Sequence, residues 1–549
     1  MTLLGAQAFV ECLREEGVEY IFSVSGGQTL SILDAIYDQP TMRHVTARHE
    51  AAAAAMADAY ARVNGKPAVV IATTGPGATN LPTAVGNAHR DSVPMIVVTV
   101  NNNRKDIGYD EPQDADHVQV MRQFVKSTRF VGDPDMVTIA TREAFRAATT
   151  GNPGPAHLDF ARDAIEKGEI TFTALNGASS RPLQAPIAAE ASIVAAADRI
   201  RAAKRPVIWA GRGAIISDAT QELVALADAA GIPVSSTYNG IGAFPSSHPM
   251  WIGPRSRWGG RPGNAALSEA DLVIVVGNSL NSISTARWSL KLPDIVQIDC
   301  DPMMIGRRYP VEVPVLGDAA DALCRITKLL AGDSGAEDRA PWVSTMKGRY
   351  AEWRKQIHNP AFADTAPVHP LWVMRQIEER FGPDDVICYD AGNCGIWAQA
   401  VPVEKPRHYM KPVGFGAMGF ALPASIGVKV SRPAAHCVAV VGDGSLGMSL
   451  CELETAVREK SPVIVLVFND CSLGNIRQLQ LKQYGQRHIG VDYGDIRFAD
   501  AARAFGADGE RVTRAADLPA AIERAKTSDV PYVVDILIDR GISIWDDPF

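Results

Sequence analysis

The chain has 549 residues, 46% of them hydrophobic and 21% charged, enough apolar material for several cores. Its formal charge of -8, from 62 acidic against 54 basic residues, is mild for this length and argues against nucleic acid or an anionic membrane as the main partner. Eight cysteines without a CxxC pair suggest neither a zinc ribbon nor a disulfide framework. No apolar run approaches the roughly 18 residues of a membrane span, and the N-terminal MTLLGAQAFVECLREEG meets charge too early for a signal peptide, so a soluble cytoplasmic protein is expected.

In the first third, the Val/Ile-rich runs PAVVIAT and PMIVVTV alternate with Ala-rich stretches of helical spacing such as HEAAAAAMADAYARV. Residues 166–188 then lose any sustained period and carry Pro, Gly and Ser, which suits a linker. The middle third repeats the pattern with RPVIWAG, DLVIVVG and DIVQID, and a second polar, Pro-interrupted stretch at 332–366 reads as another linker. The last third brings DVICYD, CVAVV, PVIVLVF and PYVVDILI, with DLPAAIERAKTS as a helix among them. Continuous apolar strands alternating with helices predict an α/β protein of three doubly wound domains with mostly parallel sheets, at 1–165, 186–335 and 365–540. The first and last thirds echo each other, since AVVIATTGPGATN and VAVVGDGSLGMS are both a buried strand running into a Gly-rich turn and a helix.

Ligands of open α/β sheets bind at the carboxyl ends of the strands, so those turns are the place to look for chemistry. Gly442 and Gly444 let backbone N–H groups approach a phosphate, and Ser445 with the following helix N-terminus adds donors. Asp443 is an acid where a phosphate should sit, which makes sense when a hard cation lies between them; Mg²⁺ is the natural one. The next strand ends in Asn469-Asp470, which supplies a second oxygen ligand, with the carbonyl of Ser472 a third.

The GDG turn, helix and strand ending in Asn469-Asp470 resemble the signature, GDG then a strand ending in an Asn pair, of the thiamine diphosphate enzymes of the acetolactate synthase, benzaldehyde lyase and 2-oxo acid decarboxylase group, and the resemblance covers essentially the whole chain. It implies a pyrimidine-binding, a central and a diphosphate-binding domain. ARHEAAAAAMADAYAR is similar to the family segment with the catalytic glutamate, here Glu50, and Gln113 matches a glutamine that contacts bound intermediates. IATTGPGATN, with Thr74 and Gly75, resembles the loop lining the cofactor. GFGAMGFALPASIG resembles the segment gripping the aminopyrimidine, through Gly416 and the wedge Met418. DAGNCGIWAQ resembles a diphosphate-contacting loop with Asn393 and Cys394, and LGNIRQ brings Asn475 and Ile476 to the pocket. The metal ligands so implied are Asp443, Asp470 and Ser472.

The implied reaction makes or cleaves a 2-hydroxy ketone bond, or acts on a 2-oxo acid, through an enamine. The alternatives are simple 2-oxo acid decarboxylation, or an acyl-CoA substrate as in 2-hydroxyacyl-CoA lyases and oxalyl-CoA decarboxylases. The partners implied are an oxo acid, aldehyde or acyl-CoA and a second copy of the chain, as homodimer or homotetramer with the cofactor between subunits. Three departures stand out: Pro112 precedes Gln113 where synthases have Phe, Asn475 replaces a Met, and Asp470 replaces an Asn. In the central domain Asn278-Ser279-Leu280-Asn281 replaces an Arg-Phe-Asp-Asp segment, which argues against the FAD that many synthases hold there. Among the histidines, His117 is a better candidate for chemistry than His49 or His89.

Overall fold

A computed structural model of the chain describes residues 2–174, 186–332 and 335–545. It contains three six-stranded sheets, all parallel, each with helices on both faces. The apolar runs recognised in the sequence are their strands, buried on both faces as parallel sheets require.

The first sheet runs in the spatial order Arg43–Thr46, Tyr20–Ser23, Ala68–Ala72, Met95–Asn101, Pro155–Ala161, Ser127–Val131. The last runs Tyr409–Met410, Val386–Tyr389, Cys437–Gly442, Ile464–Asn469, Tyr532–Leu537, Asp508–Val512. Numbered within each domain, both are 2-1-3-4-6-5, so the faint echo between the first and last thirds is an identity of topology. The middle sheet differs. Its order of Trp251–Pro254, Val234–Ser236, Pro206–Ala210, Leu272–Val276, Asp294–Asp299, Val313–Leu316 is 3-2-1-4-5-6, the dinucleotide-fold arrangement.

The Ala-rich helix Glu50–Asn64 explains how the outer domains meet. His49 caps it by accepting from the Ala51 N–H, and Gly65, at φ 66°, ends it in the left-handed conformation. Alanine on nearly every face makes it thin, and it lies against helix Ala421–Ser431 so closely that a Cβ on Gly427 would fall 2.3 Å from the Met56 carbonyl oxygen. One buried apolar cluster therefore runs from Phe22 and Val70 through Ala53 and Met56 to Leu422, Val441 and Val467.

The stretch 332–366 is not the open linker its polarity suggests. It holds an 18-residue helix, Ala340–Ile357, that buries Trp342, Val343, Met346, Trp353 and Ile357. The Trp342 indole donates to the Pro206 carbonyl at 3.1 Å, under the middle sheet. Of the other expected linker, residues 175–185 lie outside the described ones; Glu169–Thr171 within it pairs antiparallel with Thr2–Leu4.

Candidate active site

The switch point of the last sheet lies between the strands Val386–Tyr389 and Cys437–Gly442. A cavity of about 320 Å³ opens there. Asn393, Cys394, Gly416 and Met418 line it, as do Gly442, Asp443, Gly444 and Ser445, and Asp470, Ser472, Asn475 and Ile476. All twelve residues expected in the diphosphate half are thus on one wall system. Tyr238, Trp258 and Ile283 of the middle domain close the opposite side.

Asp443 is buried, and its carboxylate accepts from the Gly444 N–H at 2.8 Å and the Ser472 N–H at 2.9 Å. Asp470 accepts from the same Ser472 N–H at 3.1 Å. Burial first, then the charge of Asp470, pushes the Asp443 carboxyl up to about 7; burial also raises Asp470. Two carboxylates crowded together, one buried and one half-buried, are a poor arrangement alone and a good one around a hard dication, whose preferred ligands are carboxylate and carbonyl oxygens. Asn469 is excluded from that pair. Its side chain is buried, donating to Asp535 at 2.8 Å and the Ile496 carbonyl at 3.2 Å while accepting from the Cys471 N–H. Of the strand-end pair, only Asp470 faces the cavity.

The wall beside these acids is kept open by glycine. A Cβ built on Gly392, Gly416 or Gly442 would meet nothing within 4 Å, so the backbone there fronts free space that a phosphate or ring could fill. Asn475 donates to the Asn393 amide oxygen at 3.0 Å, tying the two diphosphate-side loops. The Met418 methyl comes within 3.5 Å of a Cβ on Gly444. Burial pushes the Cys394 thiol up to about 12, so it serves as a small neutral group.

Sequence reasoning missed Asp390. It is 1% exposed, and its carboxylate accepts from the N–H groups of Ala391 at 2.8 Å, Gly419 at 3.1 Å and Ala421 at 2.9 Å. It therefore fastens the Gly416–Met418 segment to the strand end. The only available signal was an acid ending the apolar run DVICYD.

The remaining expected residues sit elsewhere. Glu50 is 8% exposed at the start of its helix and accepts from the Asn80 amide at 2.9 Å. Gly75, at φ 58°, packs on the Gln113 backbone; Thr74 Oγ1 donates to the Gln113 carbonyl at 3.0 Å. The side chain of Gln113 is exposed. None of Glu50, Thr74, Gly75 and Gln113 lines the cavity, so within one chain the expected residues form two half-sites. His117 belongs to the architecture of the second. It is fully buried, its Nε2 accepts from the Gly75 N–H at 3.0 Å, and its Nδ1–H therefore donates to Asp159 at 2.9 Å.

The middle sheet has its own cavity, about 480 Å³, at its switch point, where Gly211 and Gly213 pack on Gly277. Arg212, Asn278, Asn281 and Asp299 line it. Among the described residues no helix is long and apolar enough to cross a membrane.

Comparison with known proteins accounts for this layout. Three domain families of thiamine pyrophosphate enzymes match in order: the N-terminal TPP binding domain at residues 3–121, the central domain at 193–326 and the C-terminal TPP binding domain at 390–536. An acetolactate synthase large subunit from Corynebacterium glutamicum is 34% identical over 99% of this chain and 88% of its own. A probable acetolactate synthase large subunit from Methanocaldococcus jannaschii is 34% identical over 97% and 92%. An acetolactate synthase from Mycobacterium bovis is 33% identical over 99% and 89%. The three sheets, the glycine-walled cavity at the last of them and these full-length likenesses make the chain a member of the thiamine pyrophosphate-dependent enzymes, of the acetolactate synthase-like kind that forms C–C bonds.

Proposed function

We propose that the chain is a thiamine diphosphate- and Mg²⁺-dependent carboligase or lyase acting on 2-oxo acids or 2-hydroxy ketones. The observation that carries this reading is the pair Asp443, buried, and Asp470, half-buried, held on one backbone N–H beside a wall of open glycines. These two carboxylates, with the Ser472 carbonyl, would hold Mg²⁺. Gly442, Gly444, Ser445, Asn393, Cys394, Asn475 and Ile476 would bind the diphosphate, and Gly416 and Met418 the aminopyrimidine, with Thr74 and Gly75 from the other half-site.

When bound, the cofactor supplies a carbon nucleophile for carbonyl chemistry, which no side chain provides. The protein's part is placement and proton control. Glu50, oriented by Asn80, would hold a proton at the pyrimidine ring nitrogen, and Gln113 would contact the substrate. The walls of Tyr238, Trp258 and Ile283 would exclude water from the reacting carbon. Because the two half-sites lie apart within one chain, a second copy would complete each site, in a homodimer or homotetramer.

Incubation with pyruvate, Mg²⁺ and thiamine diphosphate tests the reading: acetolactate- or acetoin-type products support it, whereas free aldehyde alone would make the enzyme a simple decarboxylase. Glu50→Gln should bind cofactor yet lose proton exchange at its C2 by orders of magnitude. For the middle cavity, the loss of the Arg-Phe-Asp-Asp segment weighs against FAD, and the absorbance of the purified protein near about 450 nm decides it.

A further inference from the structure

Lys411 has no role in the chemistry described so far. It follows the edge strand Tyr409–Met410 and lines the cavity facing the middle domain. Its residue is 7% exposed. Its stem lies against Gly395, where a Cβ would fall 2.6 Å from Cε and 2.9 Å from Nζ, so the glycine makes room for the lysine. Its ammonium sits 4.4 Å above the Tyr238 ring centroid and makes no hydrogen bond or ion pair among the described residues.

The neighbouring acids have their lone pairs committed. Asp390 accepts from three backbone N–H groups. Asp91 accepts from Arg62 at 3.0 Å, Asn239 at 2.7 Å, and the N–H groups of Val413 at 3.1 Å and Gly414 at 2.8 Å. Cys394 is a neutral thiol. Asp390 and Asp91 act on the ammonium through space, but among the described residues nothing accepts a hydrogen bond from it; a buried ammonium without an acceptor is costly to maintain, and a ligand anion would supply one.

Two anions could enter this cavity: the cofactor's diphosphate and a substrate carboxylate. The first is provided for by the backbone and metal pair at Asp443–Ser445. Lys411 packs between Gly395, beside Cys394, and the Tyr238 ring of the middle domain. Nor does a cation suit a carboxylate that must leave as carbon dioxide, since stabilising it in the ground state raises the barrier. The carboxylate of the acceptor takes part in no bond change and remains in the product.

We propose that Lys411 is the receptor for the carboxylate of the acceptor substrate, making the second carbonyl compound taken by this site an anionic one. This rests on the carboligase reading above, and its test separates the two. Oxamate, an unreactive carboxylate with the shape of a 2-oxo acid, is titrated calorimetrically into the full-length protein loaded with thiamine diphosphate and Mg²⁺. Lys411→Met should weaken it by about tenfold or more, Lys411→Arg should recover part of the loss, and thiamine diphosphate affinity, read by tryptophan fluorescence, should hold. In turnover, Lys411→Met should raise KM for a 2-oxo acid acceptor more than for a neutral aldehyde, with kcat falling less than KM rises. Unchanged oxamate affinity overturns the proposal. So does a comparable loss of cofactor affinity, which would put the ammonium on the diphosphate. If oxamate discriminates but no carboligation product forms, the anion site stands and the proposed reaction falls.

Discussion

Asp443 and Asp470 share one hydrogen: the Ser472 N–H points at both, 2.9 Å from the first and 3.1 Å from the second. The shared donor fixes a buried and a half-buried carboxylate side by side at the mouth of the glycine wall. An amide at position 470 would keep the shape and remove one of the two charges. Asp470→Asn should therefore weaken Mg²⁺ by about tenfold, because a charged ligand is lost. It should also raise the melting temperature of the metal-free protein by a few degrees, because the repulsion is relieved. Melting curves with and without Mg²⁺ and cofactor read both. An unchanged Mg²⁺ requirement would remove Asp470 from the ligand set.

The Glu50 carboxylate takes its described side-chain hydrogen bond from Asn80 alone, at 2.9 Å. Asn80→Ala should remove that orientation and lower kcat by about tenfold. Asn80→Asp should be worse, on the order of 100-fold, since it sets a like charge against Glu50 in a nearly buried place. The order of the two variants is the test, because a merely structural asparagine would rank them by bulk.

How legible was this in the sequence? The strands were, because Val/Ile runs such as PVIVLVF can be buried on both faces of a parallel sheet and suit little else. The cavity wall was, because GDG and DAGNC place glycines where side chains would intrude. Helix Ala340–Ile357 was not: Pro341 and the surrounding Lys and Arg residues hide an apolar spacing that becomes visible only against the middle sheet. Nor was Asp390, whose three backbone partners lie up to 31 positions away. The ambiguity at Asn469-Asp470 was one of side-chain direction, which alternates along a strand and is decided by Asp535, a partner 66 positions on.

His117 joins Gly75 to Asp159, and Asp159 is itself held by Thr99 at 2.7 Å and Asn101 at 3.0 Å. The chain of bonds holds the left-handed Gly75 turn. His117→Ala should strand the Gly75 N–H and Asp159 and cost about 1–3 kcal/mol of stability, read by denaturant unfolding. His117→Gln, able to accept and donate in similar places, should recover more than half. If the imidazole instead exchanged protons with substrate, Gln would rescue folding but not activity.

Asp91 gathers Arg62, Asn239 and the 413–414 backbone, so one carboxylate pins all three domains at the cavity edge. Arg62 also donates to Asp58 and to the Lys411 carbonyl, the latter at 3.3 Å. Removing one member leaves a buried guanidinium short of charge. Asp91→Ala should cost about 3–5 kcal/mol, several times more than a surface ion pair such as Lys66–Glu19. Equilibrium unfolding measures the difference.

The burial of Lys411 gives its proposed role a pH signature. Burial pushes the ammonium down to about 8, against the upward pull of the Asp390 and Asp91 charges. Oxamate affinity should be flat at neutral pH, fall as pH rises through about 8, and lose that dependence in Lys411→Met. The stability of the ligand-free protein should move the other way. An unfolded lysine keeps its proton to about 10.4, so between roughly pH 8 and 10 the unfolded chain binds more protons than the native one and stability rises with pH. Lys411→Met should abolish that rise and be more stable at pH 7 by about 1–3 kcal/mol, with the loss of the Tyr238 contact taking back part. A variant that melts higher yet binds the carboxylate less well is the expected mark of a charge kept for a ligand; one that melts lower would make Lys411 a packing residue.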